Sequence, residues 1–552
     1  MDPDGFSGWF YKCAWNIIGE DFIKSIQCCW SKGFIPTGMN SNFLMLLPKV
    51  KNVKRANQYG PTGLMNFRFK VITKVITSRL SLIMDKLISH QQGAFIKERN
   101  IQEHIVLASE MVNELDIKRR GGNFGLKLDI TQAYDSLKWE FLFQDMKAFG
   151  FSVNFVKWIH ILLKSAKISV SINGGPAGYF GVSRGLRQGD TLSPLLFVIA
   201  EDVLSRQLIS MVLNKTLTPM VNRNRVQPTH IFFTDDIFIF CNCDKINVRR
   251  LMQKLNEYQR SSGQNISLTK SKCFIGGESE NRKLHVDAEC NISLVSFPDK
   301  YLGVTLVPGS IKYTHVWECV EYLQDKLAGW KGQLLSFQER LILVKFVLSS
   351  IPIYNMSVYK WPARVLKECG LDIRKLEVIN KALLMKLYWK ILNGEEEWEK
   401  LFQAKFKNIR GEWITYYKKS SIWPSIKMII NEVEHNTRWL VSDGQQISVW
   451  QDTWIKDRPL CEIFPGNLLM QTNPNMKVAE LLTNGEWIVP PEFSQFFGAN
   501  ELLVADNTSD RRIWCGSSTV RSGEERDEEQ GYNEVESGGD KTNSGAQLVV
   551  FD

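Results

Sequence analysis

The chain predicts a mixture of strands and helices spread over several domains, and three observations carry that reading. Strand-like and helix-like patterns alternate from Gly121 to Gly303. Beyond that the pattern is mainly helical and rich in Trp. The 552 residues, 44% of them hydrophobic, are more than a single core usually organises. No internal repeat at solenoid or propeller spacing competes with this division.

In chain order, "FLMLLPKV" from Phe43 to Val50 reads as a strand. From Phe69 to Leu87 apolar residues recur at three- and four-residue spacing, with Lys70, Lys74 and Arg79 on the opposite face. "FGLKLDI" then reads as a strand ending in Asp129, followed by a turn into a helix carrying Tyr134, Asp135 and Trp139. An Asp at such a turn is equally a helix N-cap. Next comes "SRGLRQGDTLSPLLFVIAEDVLSRQL", Ser183 to Leu208. Its Gly185 and Gly189 let backbone approach a ligand, and Arg184, Arg187 and Gln188 offer donors to phosphates or base edges. Ser193 and Pro194 read as the N-cap and first turn of the helix Leu195 to Leu208.

"HIFFTDDIFIF", His230 to Phe240, reads as two short strands joined by a turn at Thr234, Asp235 and Asp236. An Asp pair in a turn is ordinarily turn chemistry facing solvent. Here the apolar flanks argue for burial, and buried carboxylates persist only when paired, hydrogen-bonded or bound to metal. Asp129 and Asp235 are 106 residues apart, so a shared site needs neighbouring strands of one sheet. Carboxylates converging from adjacent strands repel unless divalent cations lie between them, and hard oxygen ligands suit Mg²⁺ with phosphate completing its shell.

Net charge is +9, but the last stretch, Gly516 to Asp552, holds nine acids and three bases, which leaves +15 on residues 1–515. A basic body suggests a polyanionic partner, and the Ser-, Gly- and Glu-rich tail is expected to be disordered. No apolar run approaches the ~18 residues needed to cross a bilayer, and no secretory signal opens the chain, so an intracellular protein with no membrane partner is expected. The eleven cysteines lack zinc spacing and read as reduced core residues.

Taken together and in this order, these blocks closely resemble the reverse transcriptases of LINE-type, non-LTR retrotransposons, and most of all the plant elements. The resemblance runs from "PDGFSGWFYKCAW" at Pro3 to about Trp514, through "LMLLPKVKN", "HQQGAFIKERNI", "LKLDITQAYDSLKWEFL", "SRGLRQGDTLSPLLF", "FFTDDIFIF", "SGQNISLTKSK", "YLGVTL" and "ISVWQDTWI". It implies a right-hand polymerase fold: fingers over residues 1–120, a palm over 121–306 with an antiparallel sheet and helices, and a helical thumb over 307–400. A Trp-rich C-terminal module over 401–515 and the tail 516–552 follow.

The resemblance further implies RNA-directed DNA synthesis, by attack of a primer 3′-hydroxyl on a dNTP, with RNA template and DNA primer as partners. Asp129, Asp235 and Asp236 would be the catalytic carboxylates, and Asp129, Asp235 and the Ile130 carbonyl would bind two Mg²⁺ ions, with Mn²⁺ as substitute. Tyr134 matches the residue that blocks a ribose 2′-hydroxyl, its bland alternative being core packing. Gln188 and Gly189 match the loop under the templating base and incoming nucleotide, and Lys270 the lysine that protonates pyrophosphate, with Lys272 close by. Arg184 and Arg187 would contact primer and template. Tyr301 and Gly303 fall in the segment that positions the primer, and thumb lysines including Lys326, Lys331 and Lys345 would grip the duplex backbone.

This copy departs from the pattern where "YGPTG" stands in place of "FRPIS", so Gly60 replaces the arginine expected to hold the incoming triphosphate, with Lys49 nearby. Thr234, Thr191 and Ser267 replace a usual alanine, proline and asparagine. The flanking endonuclease, zinc segment and RNase H domain of relatives have no counterpart here, so a fragment that extends primers without nicking DNA is expected, in a nuclear or cytoplasmic ribonucleoprotein. The alternative is a catalytically impaired relic that only binds nucleic acid.

Overall fold

The computed structural model describes residues 5–515 apart from 278–282, 284–285, 287–288, 331–335, 343–346, 349, 369–375, 410, 484–485, 494 and 497–509. Lys331, Lys345 and the acidic stretch from Gly516 therefore lie outside the described residues. The chain forms two compact units. One takes residues 1–318 with Glu395–Ile422, the other Cys319–Gly394 with residues 423–552. None of the described helices is long and apolar enough to cross a membrane.

The larger unit opens with α1 (Gly8–Cys13) and α2 (Trp15–Lys32). It contains two sheets. In the first, β1 (Ser41–Pro48) pairs antiparallel with β2 (Tyr59–Met65) and parallel with β4 (Lys167–Ile172), and β5 (Gly175–Gly181) closes the far edge. Pro61 is tolerated because β2 is an edge strand. In the second sheet, β3 (Asn123–Thr131) runs centrally between β7 (Asp236–Asn242) and β9 (Lys272–Gly276), all antiparallel. The strand β6 (His230–Phe233) lies outside β7, and β8 (Asn265–Ile266) extends the pairing at the end of β3.

The period of two along β3 decides what faces the core. Phe124, Leu126, Leu128 and Ile130 are buried, while Lys127 and Asp129 on the other face are only half-buried. Around this sheet pack α3 (Phe67–Leu87), α4 (Ile101–Leu115), the short α5 (Ala133–Ser136), α6 (Trp139–Ala148), α7 (Val153–Lys164), α8 (Ser193–Leu213) and α9 (Lys245–Ser262). The α3 stripe is Phe69, Ile72, Ile76, Leu80 and Met84, with Lys74 and Arg79 exposed and Lys70 half-buried. A two-residue hairpin joins β10 (Asp299–Tyr301) to β11 (Val304–Leu306), and both its turn residues, Leu302 and Gly303, have positive φ (47° and 77°). The helix expected at Leu195 begins two residues earlier, with Leu192 rather than Ser193 as N-cap.

The units do not follow the expected boundaries at 306 and 400, and buried charge explains the difference at 400. The helix α4 is buried on every side from Glu103 to Leu115, including Glu110 and Glu114. Two buried carboxylates need a counter-charge. It comes from Lys405, on the helix Glu397–Phe406, whose Nζ lies 2.7 Å from Glu110 Oε2 and 2.9 Å from Glu114 Oε1. Arg223 (3.0 Å) and Arg119 complete the shell of Glu114, and Ser420 donates to Glu110. The segment Glu395–Ile422 is thereby tied to the larger unit rather than to the Trp-rich residues after it.

In the smaller unit, Ile447, Val449, Trp450, Trp454, Val478, Leu481 and Phe493 form a local core. The Asp510 carboxylate accepts from the backbone N–H groups of Ser442, Gly444 and Gln446 at 2.8 to 3.2 Å. Five of the ten described cysteines are buried, but Cys13 and Cys28 are exposed on the first two helices, contrary to the expectation of core cysteines.

Burial alone would raise the Glu114 carboxyl, but Lys405, Arg223 and Arg119 outweigh it and bring it from 4.5 down to about 2. A depressed carboxylate contributes stability that is full above its unfolded value and lost as pH falls through the folded one. Chemical unfolding followed from pH 6 to pH 2 should show ~3 kcal/mol lost below about pH 5, and Glu114→Gln should remove most of that slope. Lys405→Met, which removes the ammonium from the buried Glu110 and leaves Glu114 to Arg119 and Arg223, should cost about 3–5 kcal/mol at neutral pH.

Candidate active site

The β3 to β7 register sets Asp129 directly opposite Asp236, so their Cβ atoms share one face of the sheet. Phe233 pairs with Asp236 across the β6–β7 hairpin, which leaves Thr234 and Asp235 as its two-residue tip. The three acids are thus brought to one end of one sheet. Asp129 is not the N-cap of the following helix: Gln132 holds that position, and the Asp129 backbone instead accepts from Ser267 N (2.8 Å) and donates to Ser271 Oγ (3.1 Å).

The loop before α8 is strapped to the turn after Asp129. Gly185 N donates to Leu137 O (2.8 Å), Leu186 N to Tyr134 O (2.6 Å), and Trp139 Nε1 to Gly185 O (2.7 Å). Gly185 has φ +81°, and a Cβ there would sit 2.6 Å from Asp135 O, so the approach requires glycine. Gly189 has φ +89° near the Gly63 carbonyl of β2. Arg184, Gln188 and Gly189 are exposed. Arg187 is not, contrary to expectation: its guanidinium turns inward, donating to Asn40 Oδ1 (2.6 Å) and lying 5.4 Å from the Phe69 ring.

Tyr134 stacks on Phe197 at 4.6 Å and 14° and still feels the charge of Asp235, which adds to burial in raising its hydroxyl pKa. Core packing and a place beside the acids are both realised. Lys270 and Lys272 part company: Lys270 Nζ lies 3.7 Å from Asp129 Oδ1 and is largely exposed, whereas Lys272 is bound to Asp299. Lys127, two residues before Asp129 on its face, also pairs with Asp299 at 3.0 Å. Tyr301 is buried against Phe238 (5.7 Å), so its side chain does not reach the surface that a primer would contact; Gly303 serves the turn beyond it. Lys49 is exposed, its Cε would lie 3.1 Å from a Cβ at Gly60, and its charge offsets the burial that raises Asp135. Lys326 lies 5.4 Å from the Tyr322 ring in the other unit.

Sequence reasoning missed Glu201. It is fully buried on α8, and burial together with the charges of Asp235, Asp236 and Asp202 pushes its carboxyl well above the usual range. Asp236 is also raised, by burial and by Asp235 and Asp129, with Lys127 opposing. The signal was present in the acid pair Glu201-Asp202 inside an otherwise apolar helix. Among the described residues no three His, Cys, Asp or Glu side chains stand close enough together to hold a metal ion. The donor set nonetheless fits a hard divalent cation: all-oxygen ligands, two of them opposed across one sheet, with mutual repulsion that a cation would relieve.

The family model described as reverse transcriptase (RNA-dependent DNA polymerase) matches residues 48–306. Over 359 residues the chain is 26% identical to the transposon TX1 uncharacterized 149 kDa protein of Xenopus laevis, covering 63% of this chain and 26% of that one. Over 319 residues it is 23% identical to the Pol polyprotein from the type-2 retrotransposable element R2DM of Drosophila melanogaster, covering 57% and 28%. The chain spans about a quarter of the length of these two relatives. A telomerase from Candida tropicalis in complex with a telomeric RNA fragment aligns at 12% identity over 68% of this chain and 65% of that one, with a TM-score of 0.35.

The chain therefore carries a reverse transcriptase domain, of α+β right-hand polymerase fold. The two proteins it resembles are, by name, a transposon protein and the Pol polyprotein of a retrotransposable element.

Gly185→Ala adds a Cβ into the Asp135 carbonyl at a φ of +81°, where neither backbone can yield cheaply. Thermal unfolding should show a loss of more than about 2 kcal/mol. Gly174→Ala, at φ +82° but in open space, should cost about 1 kcal/mol.

Proposed function

We propose that this chain is an RNA-directed DNA polymerase, joining dNTPs to the 3′-hydroxyl of a DNA primer on an RNA template. The observation that carries the reading is Asp129 opposite Asp236 beside the Asp235 tip, an acidic cluster strapped to a glycine-dependent loop with exposed Arg184 and Gln188. Asp129, Asp235 and the Ile130 carbonyl, with Asp236, would hold two Mg²⁺ ions, for which Mn²⁺ would substitute. When bound, such ions favour the ionised primer hydroxyl and neutralise charge on the phosphates.

The remaining roles fall to the chain itself. Lys270, tethered near Asp129 yet solvent-exposed, is free to swing to the leaving pyrophosphate and give it a proton. Tyr134, held flat by Phe197, presents an aromatic edge to the sugar of the incoming nucleotide. Gln188 and Gly189 lie under the templating base, and Arg184 takes a backbone phosphate. Arg187 supports the loop from within through Asn40, and Tyr301 supports the β10–β11 turn by packing on Phe238. We assign the fingers, palm and thumb roles to the larger unit and to the helices from Tyr313 onward, with a basic face tracking the duplex.

A second reading is favoured by one feature. Gly60 supplies no cation, and the Lys49 side chain stretched past it is the nearest candidate to hold the triphosphate. If Lys49 does not compensate, the chain binds nucleic acid without turnover.

Primer extension on an RNA template in Mg²⁺ and in Mn²⁺ tests both. Extension by the native chain should vanish in Asp235→Asn. Lys49→Met should lower kcat/KM for dNTP by roughly 30- to 1,000-fold, the loss of about 2–4 kcal/mol of phosphate stabilisation. Extension absent in the native chain but restored by Gly60→Arg supports the impaired relic, and silence in both leaves only binding.

A further inference from the structure

One amide holds the tip of the acidic hairpin. Gln92 is fully buried, and its Oε1 accepts from Thr234 N and from Ala94 N, each at 3.1 Å. Its Nε2 donates to Glu201 Oε2 at 3.1 Å. The backbone on either side is equally committed: Gly93 N donates to Phe232 O (2.9 Å) and Phe232 N to Gln91 O (2.8 Å). A Cβ at Gly93 would meet the His104 ring at 2.2 Å, so this strand-side segment cannot retreat from the hairpin without losing its own seat.

Thr234 needs such a hold. It sits at φ +53°, a left-handed conformation that costs a β-branched residue on the order of 1–3 kcal/mol, and Asp235 is the next residue. A carboxamide offers, without charge, an oxygen with two lone pairs and a separate N–H donor, and Gln92 uses both lone pairs and a donor at once. Glu201 is fully buried, its carboxyl raised by burial and by the charges of Asp235 and Asp236, and its Oε2 receives that donor at 3.1 Å.

We propose that Gln92 is a positioning residue for the acidic cluster: its amide locks the Thr234–Asp235 tip to Glu201 of α8 and thereby sets where the Asp235 carboxylate stands relative to Asp129 and Asp236. The inference rests on the polymerase reading, in which these carboxylates bind divalent metal. Residues that orient metal ligands from behind typically contribute 10- to 100-fold to metal affinity.

The test is Mn²⁺ binding to the full chain, followed by electron paramagnetic resonance, with thermal unfolding in parallel, for the native chain, Asp235→Asn, Gln92→Met and Gln92→Asn. The proposal expects about 10- to 100-fold weaker Mn²⁺ binding in folded Gln92→Met. Gln92→Asn, too short to reach both partners, should be weakened in the same direction and serves if the Met variant does not fold. In extension assays, Gln92→Met should lower kcat while leaving the KM for primer–template unchanged, which general destabilisation would not do. Native-like Mn²⁺ affinity in folded Gln92→Met or Gln92→Asn overturns the proposal. A native chain that binds Mn²⁺ no better than Asp235→Asn instead overturns the metal-site reading, and the positioning role with it.

Discussion

Like charge concentrated at one end of a sheet is the constraint on which the surrounding structure depends. Asp129, Asp235 and Asp236 lie within reach of one another's fields, and a fourth acid, Glu201, is buried behind them. Left to themselves they would splay the hairpin. The chain answers with hydrogen bonds: the Gln92 amide between the tip and the buried Glu201, and Ser271 and Ser267 on the Asp129 backbone. The nearest cations, Lys127 and Lys270, are respectively tied to Asp299 and held loosely at 3.7 Å. That leaves the cluster's charge largely uncompensated by protein, which is what a site for a divalent ion requires.

Much of this was legible in the sequence because its signals are local. Two strand-forming runs around Thr234-Asp235 announce a hairpin, and the 3.6 period from Phe69 announces α3; at Gly185 the close backbone approach is to the Asp135 carbonyl. What was not legible depends on partners far away in the chain. Nothing in "GLRQGD" says that Arg187 will turn to Asn40 while Arg184 faces water, and nothing in "YLGV" says that Tyr301 will face Phe238. Gln92 and Glu201 escaped notice for the same reason. Their chemistry exists only once residues 92, 201 and 234 meet, and composition cannot report a meeting.

A helical pattern reveals which face is apolar but not which unit will cover it. A single Lys on the helix Glu397–Phe406 decides the matter by satisfying two acids of α4. Seen as a matter of timing on the ribosome, the arrangement carries a further consequence. The carboxylate of Glu110 is made 295 residues before the ammonium that neutralises it. At about 5–20 residues per second, α4 emerges roughly 15 to 60 s before its counterion exists. During that interval Glu110 must stay hydrated, whereas Glu114 has Arg119 and then Arg223 to pair with. The larger unit therefore closes late, from its C-terminal side, although the strands bearing its acidic cluster are complete long before.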